Sequence, residues 1–248
     1  MNNRIFGEGK FLTGTYEEQL KVLTQLGGNS SYVCFCNAHM IFEAQRSHEF
    51  SELLDEADLL TCDGVPVLWA ERFLGKKQID RFAGMDVIED IFRISEQKKY
   101  RIFLFGGTTE ALRAVSEKAT EQFPGCEIAG AISPPFRTLS EEELESIYSK
   151  INQSGADFVL VALGCPKQEK WMAAAKGKVD ACMLGVGAAF ATYGEQIDMA
   201  PSWMRDNGIE WIYRLAKEPR RLFKRYLIGN AVFVYVFLKH LVNRAIGA

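Results

Sequence analysis

Phe158-Val-Leu-Val-Ala-Leu163 runs into Gly164-Cys-Pro-Lys-Gln168-Glu-Lys-Trp-Met-Ala-Ala-Ala175, and five residues later comes Ala181-Cys-Met-Leu-Gly185-Val-Gly187. The first run is apolar at every position and too short for a core helix, so it reads as a strand buried on both faces. A glycine turn, a helical pattern with Pro166 in its first turn and a second apolar run follow. Strand, turn, helix and strand in that order form a βαβ unit, the building block of a parallel sheet.

The same alternation extends in both directions. Strands are expected at 32–36, 59–62, 101–105, 126–131, 158–163 and 181–186, with helices at 15–26, 40–46, 65–73, 86–97, 109–122, 141–153 and 167–175. Ser140 with Glu143 three residues on is a capping-box start, and Pro134-Pro135 marks a loop. The reading is an α/β, Rossmann-like parallel sheet covered by helices over residues 1–195, followed at 196–248 by a basic, apolar, helical appendage. The apolar share of 48% with 25% charged residues argues against disorder.

In such sheets ligands bind beyond the carboxyl ends of the strands. Three glycine-bearing turns fall there: Gly106-Gly107 before a helix start, Gly164 before Pro166, and Gly185-Val-Gly187. Free backbone N–H groups at these turns would suit a nucleotide diphosphate, although small residues also permit tight turns with no ligand. Asp63 in Thr61-Cys-Asp-Gly64 puts a carboxylate on the same edge, either as a turn former or as a catalytic group. Asn37 either caps a helix or joins that site. Arg81 either serves there or pairs with Asp80 or Asp86.

Other chemistry is excluded or disfavoured. Asp55-Glu-Ala-Asp58 spells a helicase motif, yet no G-x-x-x-x-G-K-[ST] loop accompanies it, and no nucleic-acid partner is expected. No G-x-G-x-x-G opens the fold, which disfavours a nicotinamide oxidoreductase. The histidines at 39, 48 and 240 are scattered and no D-x-D occurs, so no metal and no other cofactor is expected. The six cysteines include no CxxC pair and suit buried thiols in a reducing cytoplasm. Cys34-x-Cys36 is expected to send its thiols to opposite faces of a strand. The start, Met1-Asn-Asn-Arg-Ile-Phe-Gly7, lacks an apolar signal core, so export is not expected.

Charge is distributed unevenly. Residues 211–248 carry eight Lys/Arg against Glu218 alone, a net of +7 in a chain whose total is −3. This cluster adjoins the apolar run Tyr226-Leu-Ile-Gly-Asn-Ala-Val-Phe-Val-Tyr-Val-Phe-Leu238. Cations beside apolar and aromatic residues suit an anionic membrane surface. A core or dimer helix is the other reading, and a membrane span the least favoured, since the run sits at the lower limit of length.

Six segments then resemble, in order, the WecG/TagA/CpsF family of bacterial glycosyltransferases (glycosyltransferase family 26). They are Cys62-Asp63-Gly64-Val-Pro-Val-Leu-Trp-Ala70, Arg81-Phe-Ala-Gly-Met-Asp86, Phe105-Gly-Gly107, Gly164-Cys-Pro-Lys-Gln168-Glu169, Gly185-Val-Gly187, and Gly208-Ile-Glu-Trp-Ile-Tyr-Arg214-Leu-Ala-Lys-Glu-Pro219-Arg-Arg221. The last block is far more specific than any glycine turn. The resemblance implies a metal-independent, inverting transferase that moves a sugar from a UDP-sugar to a polyprenyl-diphosphate-linked saccharide at the inner face of the plasma membrane. N-acetylmannosamine leads as the donor sugar, with glucose as the other candidate, in teichoic acid or related cell-surface polysaccharide synthesis. By the same resemblance Asp63 is the general base, Asn37, Arg81 and Gln168 line the pocket, and Arg214, Arg221 and Arg225 bind diphosphate. Phe35, Ala191 and Met199 depart from the residues the family commonly has at those positions. A catalytically silent membrane scaffold is the alternative from another class.

Overall fold

The computed structural model describes residues 11–75, 78–195 and 198–246. The helix α1 (Tyr16–Thr24) opens with a capping box: the Glu18 N–H donates to the Thr15 hydroxyl and the Thr15 N–H donates to the Glu18 carboxylate at 2.8 Å. Next come β1 (Ser31–Cys36), α2 (Ala38–Arg46), α3 (His48–Asp55), β2 (Leu59–Cys62), α4 (Val65–Phe73), α5 (Gly84–Lys98) and β3 (Arg101–Gly106). They are followed by α6 (Thr109–Gln122), β4 (Glu127–Ile132), α7 (Glu141–Ser154), β5 (Phe158–Ala162), α8 (Lys167–Ala175), β6 (Cys182–Leu184) and α9 (Ala188–Tyr193). The chain ends in α10 (Ser202–Asp206), α11 (Glu210–Lys217) and α12 (Pro219–Ile246).

All six expected strands form, and every pairing is parallel, in the order β2-β1-β6-β5-β3-β4. Strand side chains alternate between two cores. Tyr32, Cys34, Phe103, Val159 and Met183 face one side, and Val33, Phe35, Leu104, Leu160 and Leu184 face the other. The first side is covered by α2, α3, α4, α7, α8 and α12, and the second by α1, α5, α6 and α9. The Ser140 capping box forms as expected at the start of α7.

Two expectations need correction. Cys34 and Cys36 lie in the same core, because residues two apart on a strand share a face; both remain free thiols. The helix α3 has no counterpart in the sequence reading. Ser47 closes α2 in an extended conformation and at once caps α3 by accepting the Phe50 N–H at 3.1 Å, so one residue ends a helix and starts the next. The acidic Asp55–Asp58 segment is structural, since Asp58 accepts the Tyr32 N–H at 2.9 Å and an ion pair from Lys176.

The connections place the site. From β1 the chain passes to the first side, whereas from its neighbour β6 it passes to the second; β5 and β3 diverge in the same way. Crevices open where neighbouring strands send their chains to opposite faces, at the carboxyl ends of β1/β6 and β5/β3.

The C-terminal helix is apolar on two sides. Its inner side buries Leu222, Phe233 and Val236, of which Phe233 and Val236 join the first core where the helix runs along α2, each contributing about 1.5–3 kcal/mol. Its outer stripe, Leu227, Val234, Leu238 and Val242, is exposed. The core-helix reading therefore holds for one side only. Among the described residues, no helix is long and apolar enough to cross a membrane.

Candidate active site

The ends of β1 and β2 are tied together. The N–H groups of Asp63 and Gly64 both donate to the Cys36 carbonyl, at 3.0 and 3.2 Å, and a Cβ on Gly64 would stand 3.3 Å from that of Asn37. Asn37 is a helix cap: its Oδ1 accepts the His39 and Met40 N–H groups at 3.1 and 3.3 Å. The cap engages Oδ1 and leaves Nδ2 without a partner among the described residues, so capping does not remove Asn37 from the crevice.

Asp63 is partly buried and its Oδ1 accepts the Gly84 N–H at 3.1 Å, in the first turn of α5. Burial pushes its carboxyl up to about 6; Arg81 opposes the rise, Glu210 adds to it, and the Gly84 N–H and Arg214 oppose it. Gly84 in turn rests on Phe35 and on the Val186 backbone, which joins the Asp63 turn to the β6 glycine turn. The Phe35 side chain is buried against Phe82 in the second core and packs beneath α5.

Around Asp63 the arginines are held by acids. Arg81 donates to Asp86 at 2.7 Å, while Asp80 pairs with Arg72, which decides between the two partners the sequence left open. Arg205 approaches the other oxygen of Asp86 at 3.8 Å, and Arg214 pairs with Glu210 at 2.6 Å. The α10–α11 corner reaches this position because Gly208, at φ +69°, lies on Val65 at the start of α4, where a Cβ would come within 2.9 Å of the valine. The side chains of Arg221 and Arg225 lie outside the described residues.

Gln168 does a different job from that of a group exposed to the crevice. It is buried, its Oε1 accepts the Gly164 N–H at 3.1 Å, and its Nε2 donates to the Gly185 carbonyl at 2.7 Å and to Glu169. One amide thus staples the β5 turn, α8 and the β6 turn. The expected free N–H groups are not found at four glycines. Gly107 donates to Ala162 O, Gly164 to Gln168, Gly185 to Val33 O and Gly187 to Val161 O. Close approach applies at Gly185 and Gly187, where a Cβ would come within 2.7 Å of Met172 and 3.1 Å of Gln168, whereas Gly164 has nothing within 4 Å and serves through its φ of +78°. Among the described residues no three His, Cys, Asp or Glu side chains converge as a metal site requires.

An acid of raised pKa at a strand end, under a short helical segment that brings arginines to it, is the arrangement a group-transfer reaction on an anionic substrate uses. Residues 8–246 match the model of the glycosyl transferase WecG/TagA/CpsF family. The chain belongs to this family. Similar proteins include the N-acetylglucosaminyldiphosphoundecaprenol N-acetyl-beta-D-mannosaminyltransferase of Bacillus spizizenii, 29% identical over 211 residues, which cover 85% of this chain and 79% of that protein. The protein of the same name from Bacillus subtilis (strain 168) is 29% identical over 192 residues, covering 77% of this chain and 73% of that one.

In this WecG/TagA/CpsF glycosyltransferase the structure brings to the candidate site two residues that the sequence reading did not name there, Arg205 and Glu210, and ties Asp86, already set beside Arg81, to both Arg81 and Arg205. The signal for Glu210 was its i, i+4 spacing from Arg214. Arg205 carried no local signal. Asp86→Asn is expected to loosen both Arg81 and Arg205 and to lower kcat/KM by about tenfold or more, since one charge-assisted bond contributes about 1.5–3 kcal/mol. Steady-state kinetics beside a thermal melt would check it, and unchanged kcat/KM would remove Asp86 from the site.

Proposed function

We propose that this glycosyltransferase transfers a sugar, with inversion and without a metal ion, from a UDP-sugar to a polyprenyl-diphosphate-linked saccharide. The observation that carries the reading is Asp63: a carboxylate with a pKa near 6, fixed by the Gly84 N–H at the end of β2 and surrounded by arginine charge. In the reaction an acceptor hydroxyl attacks the anomeric carbon of the donor. Its proton passes to Asp63 as the new glycosidic bond forms and the bond to UDP breaks. Arg81 and Arg214, joined by Arg221 and Arg225 from the start of α12, take up the charge of the departing diphosphate. Gln168 acts as a positioning residue through the turns it staples, and Asn37 presents its amide to the crevice. The relatives' names favour N-acetylmannosamine over glucose as the donor sugar.

The acceptor in those names is a lipid, and the outer stripe of α12 with its Lys/Arg-rich start suits the surface in which such a lipid resides. The protein then works peripherally at the cytoplasmic face of the plasma membrane. Neutralising Arg220, Arg221, Lys224 and Arg225 together should weaken partition onto anionic vesicles on the order of 10²- to 10³-fold, at about 1 kcal/mol per cation. Sedimentation unchanged from wild type would refute the electrostatic part. The reaction itself is tested by UDP release from a panel of UDP-sugars with a short-chain polyprenyl-diphosphate-GlcNAc analogue, with and without a chelator. Acceptor-dependent release with one donor is expected, and no release with any donor would overturn the reading.

A further inference from the structure

The helix α4 starts two residues after Asp63 and carries its own exposed aromatic pair, which the reaction does not use. Its inner side, Val67, Leu68 and Ala70, is buried in the first core. Trp69 and Phe73, one turn apart, remain 58% and 71% exposed on the outer side. Phe73 stands edge-on to Phe237 of α12, with ring centroids 5.8 Å apart, next to the exposed Val234 and Leu238. The α4 aromatics and the outer stripe of α12 are therefore continuous across that contact.

We propose that Trp69 and Phe73 of α4, joined to the outer stripe of α12, form a single lipid-facing surface that fixes the height of Asp63 above an anionic membrane. The proposal rests on the reading that the acceptor is membrane-borne, and it extends that reading from the C-terminal segment to the sugar-transferring core. Three observations choose an anionic lipid surface as the occupant. Trp is a side chain suited to the boundary between headgroups and acyl chains, having an apolar body and a polar edge, and Phe supplies apolar area beside it. The charge along α12 is of one sign: it carries cations at both ends and no acid along its length. The third is distance. At 1.5 Å per residue, Trp69 and Phe73 sit about 6 and 12 Å along the helix from its first residue, beside which Asp63 stands. A helix seated by these two side chains holds the carboxylate within reach of a diphosphate at the headgroup level.

The test uses the full chain and vesicles of phosphatidylglycerol and phosphatidylcholine. Trp69→Ser/Phe73→Ser should reduce vesicle binding tenfold to a hundredfold. It should lower kcat/KM at least tenfold on a long-chain acceptor carried in vesicles, and leave kcat/KM within twofold on a water-soluble short-chain acceptor. As a second measurement that leaves α4 intact, Trp203→Phe/Trp211→Phe leaves the exposed Trp69 and the buried Trp171 as the two tryptophans. Trp69 fluorescence should be quenched by brominated lipids. Vesicle binding unchanged in the double serine variant, equal losses on both acceptors, or no quenching would overturn the proposal. So would a wild-type dimer that this variant dissociates without changing vesicle binding, which would assign the surface to a second copy. Wild-type protein that turns over the soluble acceptor yet never binds vesicles would overturn the membrane reading and this proposal with it. A chain inert toward UDP-sugars that still binds vesicles through Trp69 and Phe73 would overturn the proposed reaction alone.

Discussion

Asp63→Asn is expected to lower kcat by 10²- to 10⁴-fold, the usual contribution of a positioned base, while UDP affinity stays within a few fold of wild type. The amide keeps an oxygen to accept the Gly84 N–H, so the turn is preserved and the proton acceptor is lost. In the wild type, log kcat/KM should rise with unit slope as pH increases toward 6 and level off above it, because only the ionised carboxylate can take the acceptor proton. The same substitution should stabilise the fold at neutral pH. The folded-state pKa lies above the unfolded one, near 4, so the folded protein holds this proton more tightly between pH 4 and 6. Stability from this group is full below pH 4 and falls as pH rises through 6, by at most about 3 kcal/mol at 1.36 kcal/mol per unit. The variant should therefore melt above wild type at pH 8 and alongside it at pH 4. A variant that kept full turnover, or a pH profile flat from 5 to 8, would remove Asp63 from the base role.

Gly106→Ala is expected to cost about 3–5 kcal/mol and to lower Tm by roughly 10 °C. At φ +108° an alanine is strained wherever it stands, and here its Cβ would come within 2.6 Å of the Ala162 carbonyl carbon and 2.7 Å of its oxygen. That obstacle is the backbone of the neighbouring central strand, which cannot rotate away as a side chain could. Gly164→Ala is the control. It also has a positive φ, +78°, but nothing lies within 4 Å of its Cβ, so only the conformational part of about 1–2 kcal/mol should appear. Equal losses in the two variants would show that the approach of β3 to β5 imposes no penalty of its own.

Much of the fold was legible because it is written in short-range pattern. Six apolar runs gave six strands, seven helical patterns gave seven helices, and Ser140 with Glu143 gave its capping box. Where the pattern itself was short or shared, reading failed. Ser47 both ends α2 and caps α3, and α3 is only eight residues long, too brief for periodicity to separate it from its predecessor. The site was legible in part. Asp63, Asn37, Arg81 and Arg214 stand on strand ends or in a specific motif, but the long-range neighbours Arg205 and Glu210 were not visible. Asp86 and Arg205 are 119 positions apart, and Asp63 and Glu210 are 147 apart. No pattern within a few residues encodes such meetings.

By itself the sequence determined the six strands and the helices between them other than α3 and α9, the parallel character of the sheet, the edge on which the glycines and Asp63 fall, and the charge of the last helix. Each depends on neighbours within about one turn or on simple counting. Tertiary structure alone decided the strand order, the choice of Asp86 over Asp80 for Arg81, and the staple formed by Gln168. It also decided that α12 is buried on one side and bare on the other. Those outcomes depend on which surfaces bury each other when distant segments pack. A helix apolar on two sides, such as α12, does not say in its own residues which of them will find a protein partner.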